Sequence, residues 1–537
     1  MSATRPPIPR SPSGMQISSQ PSSRGRAQIM RPDTPPTPTN DEQNLLTMAA
    51  GDSAKEQAAQ LRKYRTGLLW SLVPKIPSFI RALVFHVLRL SETARYLDLE
   101  TDMTLTIMRS TLTGLKPHPV GKTQAMSILD PGVKGKVWIS RAASDVPPER
   151  GIREALMGAI RAMSDSEAQE AGFRVPDIVP VEAEWTGYRA AAAEDEPLPE
   201  ISEEQKYEAL MKECNNATTV LYLHGGAYYL CDPSTHRALN RRLAKAMGGR
   251  VYSVRYRLAP QNPFPAALLD ALVSYFTLLY PPPGSIHEAV SPKDIVFGGD
   301  SAGGNLALAL MQTILQLRRQ NTKIAWFGLK RPVPLPAGLA LLSPWVDITQ
   351  SMPSWTTNAK WDYLPGPERF ETSAPPADEI WPATPPRKHL YVADALRLHP
   401  LVSLHLNASW ARTPPVYLAC GWECLADEDK YLVSRLRGDG VAVVFEEFEA
   451  MPHAWAVVLP KAAQTERCIQ GMAKFMTATR KEPDKIASGY TYVKAKTLEE
   501  TAGDVAGLTP YAAGDVLELA RRKIGREAPL ALASPKL

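Results

Sequence analysis

Five cysteines in 537 residues are too few, and too irregularly spaced, for a disulfide-stapled scaffold. Cys214, Cys231, Cys420, Cys424 and Cys468 fit a reducing compartment, and an intracellular, cytoplasmic location is the expectation. The Cys420-x-x-x-Cys424 spacing has no second ligand pair beside it and reads as structural rather than as a redox or metal site; neither a metal nor an organic cofactor is expected. Long apolar runs are also lacking. The stretch from Gly67 to Leu90 comes nearest, but Pro74, Lys75, Pro77, Arg81 and His86 interrupt it. The roughly 18 to 20 uncharged residues of a bilayer crossing never accumulate, which excludes a transmembrane anchor there. A long basic run is missing too: 61 Lys and Arg against 56 Asp and Glu are scattered along the chain, net +5, without interleaved aromatics. Nucleic acid is not an expected partner. No apolar run closely follows Met1, so a signal peptide is not expected, and the Asn216 and Asn407 sequons would matter only in a secreted chain. The Arg- and Ser-rich, acid-poor opening leaves an organellar transit peptide as the alternative.

What is present begins with a Pro-, Ser- and Arg-rich segment over residues 1–60, whose composition cannot bury a core and reads as disorder. From Ser78, a plausible N-cap, Phe79, Ile80, Leu83, Val84, Val87 and Leu88 recur at helical spacing. That stripe reads as a helix packed on its own protein, with a helix lying on a membrane surface as the alternative. Helical patterns follow at Thr101 to Leu112 and Arg153 to Met163, with strands expected near Gly135 to Ser140 and Val181 to Thr186. Regular alternation then sets in. Thr219 to Leu223, Val251 to Tyr256, Ile295 to Phe297, Gly338 to Leu342, Val416 to Ala419 and Val441 to Phe448 read as strands, with helices at Pro265 to Tyr280 and Ala462 to Thr477. Strands alternating with helices imply an α/β chain with a mostly parallel central sheet and helices on both faces. Residues 350–400, rich in Pro and Trp, interrupt this pattern, and after about Lys481 one amphipathic segment, Ala512 to Lys523, stands out in a polar tail.

The chemistry centres on Gly299-Asp300-Ser301-Ala302-Gly303, between a buried strand and a Leu/Ala-rich helix. A strand reversing directly into a helix needs glycines where backbones meet, and the apex residue, Ser301, is lifted clear in a strained conformation as a nucleophile. His224-Gly225-Gly226-Ala227 follows the strand Thr219 to Leu223. Paired glycines there can turn backbone N–H groups toward a neighbouring oxyanion, and the expected donors are Gly225, Gly226 and Ala302. His224 reads as a loop-fixing residue. A serine hydroxyl needs a base, and of nine histidines only His453 follows a late strand on a loop; His389, His399 and His405 read as structural or solvated. The orienting acid should follow the strand Val416 to Ala419. Glu423 comes first after the turn, whereas Asp427 and Glu428 open a helix, where acidic residues suit the dipole.

Together these motifs resemble the hormone-sensitive-lipase-like branch of the α/β-hydrolases. The resemblance is carried by His224 to Ala227, by Tyr256-Arg257-Leu258-Ala259-Pro260 with Pro263-Phe264-Pro265-Ala266-Ala267, by Gly299 to Gly304, by Ser343-Pro344-Trp345-Val346-Asp347 and by His453-Ala454-Trp455. It implies an α/β-hydrolase fold with an N-terminal helical cap, and carboxylic-ester hydrolysis through Ser301, His453 and Glu423 on a small-molecule or lipid ester. It also divides the chain into a disordered segment at 1–60, a cap at 61–178, a catalytic domain at 179–480 and a tail at 481–537. Ala227 replaces the usual third glycine and Glu423 the usual aspartate; Ala still offers an N–H, and Glu remains a carboxylate. A non-catalytic ligand receptor on the same fold and an amide hydrolase are the alternatives.

Overall fold

The computed structural model describes residues 59, 62–63, 66–67, 69–114, 117–165, 173–366 and 375–526. The segment expected to be disordered, 1–60, lies outside these apart from residue 59. Helices α1 (Ile76–Val87), α2 (Leu99–Gly114) and α3 (Val120–Ser127) follow one another in the chain. They precede β1 (Val137–Ser144), α4 (Gly151–Met163), β2 (Val181–Tyr188), α5 (Glu203–Glu213) and β3 (Thr219–Leu223). Next come α6 (Pro233–Met247), β4 (Arg250–Arg255), α7 (Ala266–Leu279), β5 (Ile295–Asp300) and α8 (Ala302–Arg319). A small hairpin of β6 (Ile324–Trp326) and β7 (Leu329–Arg331) leads to β8 (Gly338–Leu342), the short α9 (Ser354–Thr357), β9 (Val416–Gly421) and α10 (Ala426–Gly438). The chain closes with β10 (Val443–Phe448), α11 (Trp455–Val458), α12 (Ala463–Lys481), β11 (Gly489–Val493), β12 (Glu500–Gly503) and α13 (Ala513–Arg526).

Ten strands form one sheet in the order β1-β2-β4-β3-β5-β8-β9-β10-β11-β12. From β4 to β11 in that order each adjacent pair is parallel, and the antiparallel pairs β1–β2, β2–β4 and β11–β12 close the edges. The central strands are buried on both faces, and their side chains alternate between two cores. Val220 and Tyr222 of β3, Val296 of β5, and Ala340 and Leu342 of β8 point into the core shared with α6 and α12. Leu221, Leu223, Ile295, Phe297, Leu339 and Leu341 point into the core shared with α4, α7 and α8. This explains why the strands read as continuous apolar runs rather than as alternating ones.

Two features fall outside the expected boundaries. β1 and α4, within the region read as cap, belong to the sheet layer: β1 pairs with β2 from Val137↔Tyr188 to Ser144↔Val181, and α4 buries Ile152, Leu156 and Ile160. The tail read without structure beyond one helix contributes β11, paired in parallel with β10, and β12. Both are edge elements with half-polar faces, which weakens an apolar pattern. The amphipathic segment in that tail is α13, burying Val516 and Ala520.

β4 lies on one side of β3 and β5 on the other, so the chain changes winding direction between β3 and β5. A crevice opens at the carboxyl ends of strands at such a point. His224 to Ala227 follow β3 and Ser301 follows β5, so both motifs meet there.

Candidate active site

Ser301 sits between β5 and α8 with φ 52° and ψ −123°, a region non-glycine residues rarely adopt. Its backbone is held on both sides. The Ser301 N–H donates to the carbonyls of Leu342 and Ser343, each at 3.1 Å, and its carbonyl accepts from the N–H of Trp345 at 2.9 Å. Gly303 has to be glycine, because a Cβ there would stand 2.0 Å from the Leu223 carbonyl at the end of β3.

The structure brings His453 and Glu423 together. His453 Nδ1 lies 2.7 Å from Glu423 Oε2, and both side chains are buried. The other carboxylate oxygen, Oε1, accepts from the Gly421 N–H at 3.2 Å, which ties Glu423 to the end of β9. Burial acts to lower the His453 pKa, but the hydrogen bond and charge of Glu423 outweigh it and raise the imidazole above the usual histidine range. Ser343 links this pair to the elbow: its carbonyl accepts from Ser301, and its Oγ accepts from the Ala454 N–H at 3.1 Å.

Asp427 and Glu428 are occupied elsewhere. Asp427 Oδ2 accepts from the Ser354 N–H at 2.9 Å, and the Asp427 N–H donates to Ser354 Oγ at 3.1 Å, a reciprocal bracket between α9 and α10. Glu428 is fully buried and accepts from the Val346 and Asp347 N–H groups and from the Trp355 indole. The histidines read as structural or solvated have partners of their own: His389 Nδ1 accepts from the Tyr391 N–H, His399 meets the Ile160 carbonyl and Ser164 Oγ, and His405 meets the Val346 carbonyl.

The loop after β3 departs from expectation at Gly225. Its N–H donates to Asp300 Oδ1 at 3.1 Å, so that donor is already committed and does not face an oxyanion. A Cβ at Gly225 would meet the other oxygen of Asp300 at 2.2 Å. Gly226 and Ala227 both have positive φ, 109° and 51°, which turns the peptides that follow Gly225. Asp300 is the fixed point of this loop. It also accepts from the Tyr222 hydroxyl at 2.7 Å and pairs with His236 Nε2 at 3.1 Å. His224 stacks on Tyr256 at 4.2 Å, and its carbonyl accepts from the Tyr256 hydroxyl at 2.7 Å. Burial, with His236 nearby, depresses the His224 pKa to about 4, so this imidazole is neutral.

Asp362 is a site residue that the sequence did not disclose. It is buried, its Oδ2 accepts from the Cys424 N–H at 2.8 Å, and its Oδ1 accepts from the His453 N–H at 3.4 Å. It therefore braces both loops that carry the Glu423–His453 pair. Helices α2 and α3 reach the same region. Arg109 of α2 donates to the carbonyls of Asp362 and Lys360, and Gln124 of α3 donates to those of Tyr229 and Ala259.

One cluster among the described residues has the composition of a metal site: Cys420, Glu423 and Asp429, all buried. One of the three, Glu423, already faces His453 Nδ1 through Oε2, and burial pushes both the Cys420 thiol and the Asp429 carboxyl up.

A model of the family described as having an α/β-hydrolase fold matches residues 220–457. An acetyl-hydrolase of Streptomyces hygroscopicus is 32% identical over 263 residues, 49% of this chain and 76% of that protein. An esterase of Acinetobacter venetianus is 29% identical over 274 residues, 50% of this chain and 78% of that protein. The solved structure of an esterase from the bacterial hormone-sensitive lipase family is 23% identical, with a TM-score of 0.45 over 75% of this chain and 98% of that one. The matched residues run from within β3 through the loop after it, the elbow, Glu423 and His453, and the chain belongs to the α/β-hydrolase family.

Proposed function

We propose that this enzyme hydrolyses carboxylic esters through a Ser301–His453–Glu423 triad. The observation that carries the reading is the buried 2.7 Å contact between His453 and Glu423, on a loop joined to the Ser301 elbow through Ser343. Ser301 Oγ attacks the ester carbonyl while His453 takes its proton; Glu423 holds the imidazole in the orientation that leaves Nε2 toward the serine. The tetrahedral oxyanion is stabilised by backbone N–H groups, and collapse returns the proton from His453 to the departing alcohol. Water, activated by the same imidazole, then frees the acyl group from Ser301. Since Gly225 donates to Asp300, the oxyanion donors in this reading are Gly226, Ala227 and Ala302. Ala302 supplies its N–H from the first turn of α8, where the helix dipole also favours negative charge. The cap in this reading is formed by α2 and α3, which contact the Asp362 segment and the loop after β3.

The name of the Acinetobacter relative, an esterase, supports ester chemistry over amide chemistry. A panel of p-nitrophenyl esters from acetyl to palmitoyl, with Ser301→Ala as control, tests the reading; absence of turnover on every ester by the wild-type chain supports the receptor instead.

The raised pKa of His453 fixes the sign of the pH response. The base must be neutral to accept the Ser301 proton, so activity falls as pH drops through that pKa. The acid limb of kcat/KM is expected above the ordinary histidine value of 6.5. In Glu423→Gln the negative charge is gone, and the limb should move to lower pH. A pH–rate profile of both proteins on one soluble ester checks it, and an unmoved limb means that His453 is not the titrating base.

A further inference from the structure

Helix α1 carries an apolar surface that the described residues leave uncovered. No residue of α1 is buried. Phe79, Ala82 and His86 are half-buried on the side toward α2, where His86 Nδ1 lies 2.7 Å from Asp102 Oδ2. The neighbouring stripe, Ile76, Ile80, Leu83, Val84 and Val87, continues into Leu88 and faces outward, with Ile80 55% and Val87 63% exposed. Just before the helix Trp70 is 72% exposed, and Leu69 and Val73 are exposed with it. Scattered apolar residues on a surface are ordinary, but a continuous helical stripe of this kind marks an interaction face.

Charge indicates the partner. From Gln57 to Ser91 the sequence has Arg62, Lys63, Arg65, Lys75, Arg81 and Arg89, and no aspartate or glutamate. In a chain with 61 basic and 56 acidic residues, that local absence of acid is a strong departure. Arg81 and Arg89 are exposed beside the apolar stripe, where their guanidinium groups can reach anionic headgroups while the stripe enters the acyl boundary. Among the described residues no helix is long and apolar enough to cross a membrane, which matches a helix lying in the interface plane. We infer that α1 with the residues flanking it is a docking surface for an anionic lipid bilayer, bound through its apolar stripe and held by Arg81 and Arg89.

The placement connects docking to the site. α2 takes α1 through Asp102 and, further along, donates from Arg109 to the carbonyl of Asp362, the residue that braces His453. One helix thus separates the lipid-facing surface from the segment behind the proposed base. Lipid binding itself does not depend on the hydrolytic reading, and the test reads the two separately.

The full-length chain is sedimented with vesicles of phosphatidylcholine and phosphatidylserine, or of phosphatidylcholine alone, at low and high salt. The wild type should pellet with the anionic vesicles, less so in high salt. Ile80→Ser with Val87→Ser should lower partitioning at least about tenfold. Arg81→Gln with Arg89→Gln should lower it by about fivefold per charge on anionic vesicles only. Circular dichroism and hydrolysis of a soluble ester, unchanged in both variants, show that the fold is retained. The inference is overturned if the wild type stays in the supernatant with both vesicle types, or if the serine variant pellets as well as the wild type. It is equally overturned if the wild type elutes as a dimer that the serine variant makes monomeric while neither pellets, since a second copy then covers the stripe.

Discussion

Ser301→Ala is expected to retain the fold and to lower kcat on a soluble ester by about 10³-fold or more. The change removes one hydroxyl from a turn whose shape is set by other groups. Gly303 lets α8 approach the Leu223 carbonyl, the Ser301 N–H is bound by Leu342 and Ser343, and its carbonyl is bound by Trp345. None of these contacts involves Oγ. Alanine at φ 52° carries the same backbone strain as serine, so the melting temperature should change little. The residual rate should reflect the oxyanion donors and substrate binding, which remain. An organophosphate should label Ser301 in the wild type and nothing in the variant, as read by peptide mass spectrometry. Labelling of another serine, or near-normal turnover by Ser301→Ala, defeats the proposed triad.

The sheet was legible because its central strands are buried on both faces and therefore spell out as short apolar runs separated by amphipathic helices, as Thr219 to Leu223 and Gly338 to Leu342 do. The antiparallel edge formed by β11 and β12 was harder. Tyr490 and Tyr492 of β11 bury their rings only in part and send their hydroxyls to Glu447 and Glu449, so the strand reads as polar tail. In the site, motifs in which chemistry and backbone geometry coincide were readable: the elbow demands its glycines, and a carboxylate just after β9 demands little beyond position. Which of two adjacent glycines aims its N–H at the site was not readable. That depends on Asp300, which captures Gly225 across a separation of 75 residues. Asp362 left no signal either, because the Pro- and Trp-rich stretch around it has no period, and its role comes from two backbone N–H groups that it meets only in the folded chain.

Glu423→Gln should lower kcat by on the order of 10²-fold or more with the fold retained, whereas Asp427→Asn should leave the rate nearly unchanged. The two carboxylates stand four residues apart in sequence. Their contacts separate them. Glu423 is fully buried with one oxygen on Gly421 and the other on His453 Nδ1, so its charge is spent entirely on fixing and stabilising the imidazolium. Glutamine keeps the volume and can still face Nδ1, but it cannot balance the positive charge that develops on His453 as Ser301 attacks. Asp427 instead accepts from Ser354 at the start of α9 and stands in the first turn of α10, where an acidic residue gains from the dipole. Its loss removes a charge from a helix terminus, an effect of about 0.3 to 1 kcal/mol, and asparagine can keep the hydrogen bond to the Ser354 N–H. The expected readout is therefore a small drop in melting temperature with kcat intact for Asp427→Asn, and the reverse for Glu423→Gln. A severe rate loss in Asp427→Asn alongside a mild one in Glu423→Gln would transfer the orienting role to Asp427, against the 2.7 Å contact that now assigns it to Glu423.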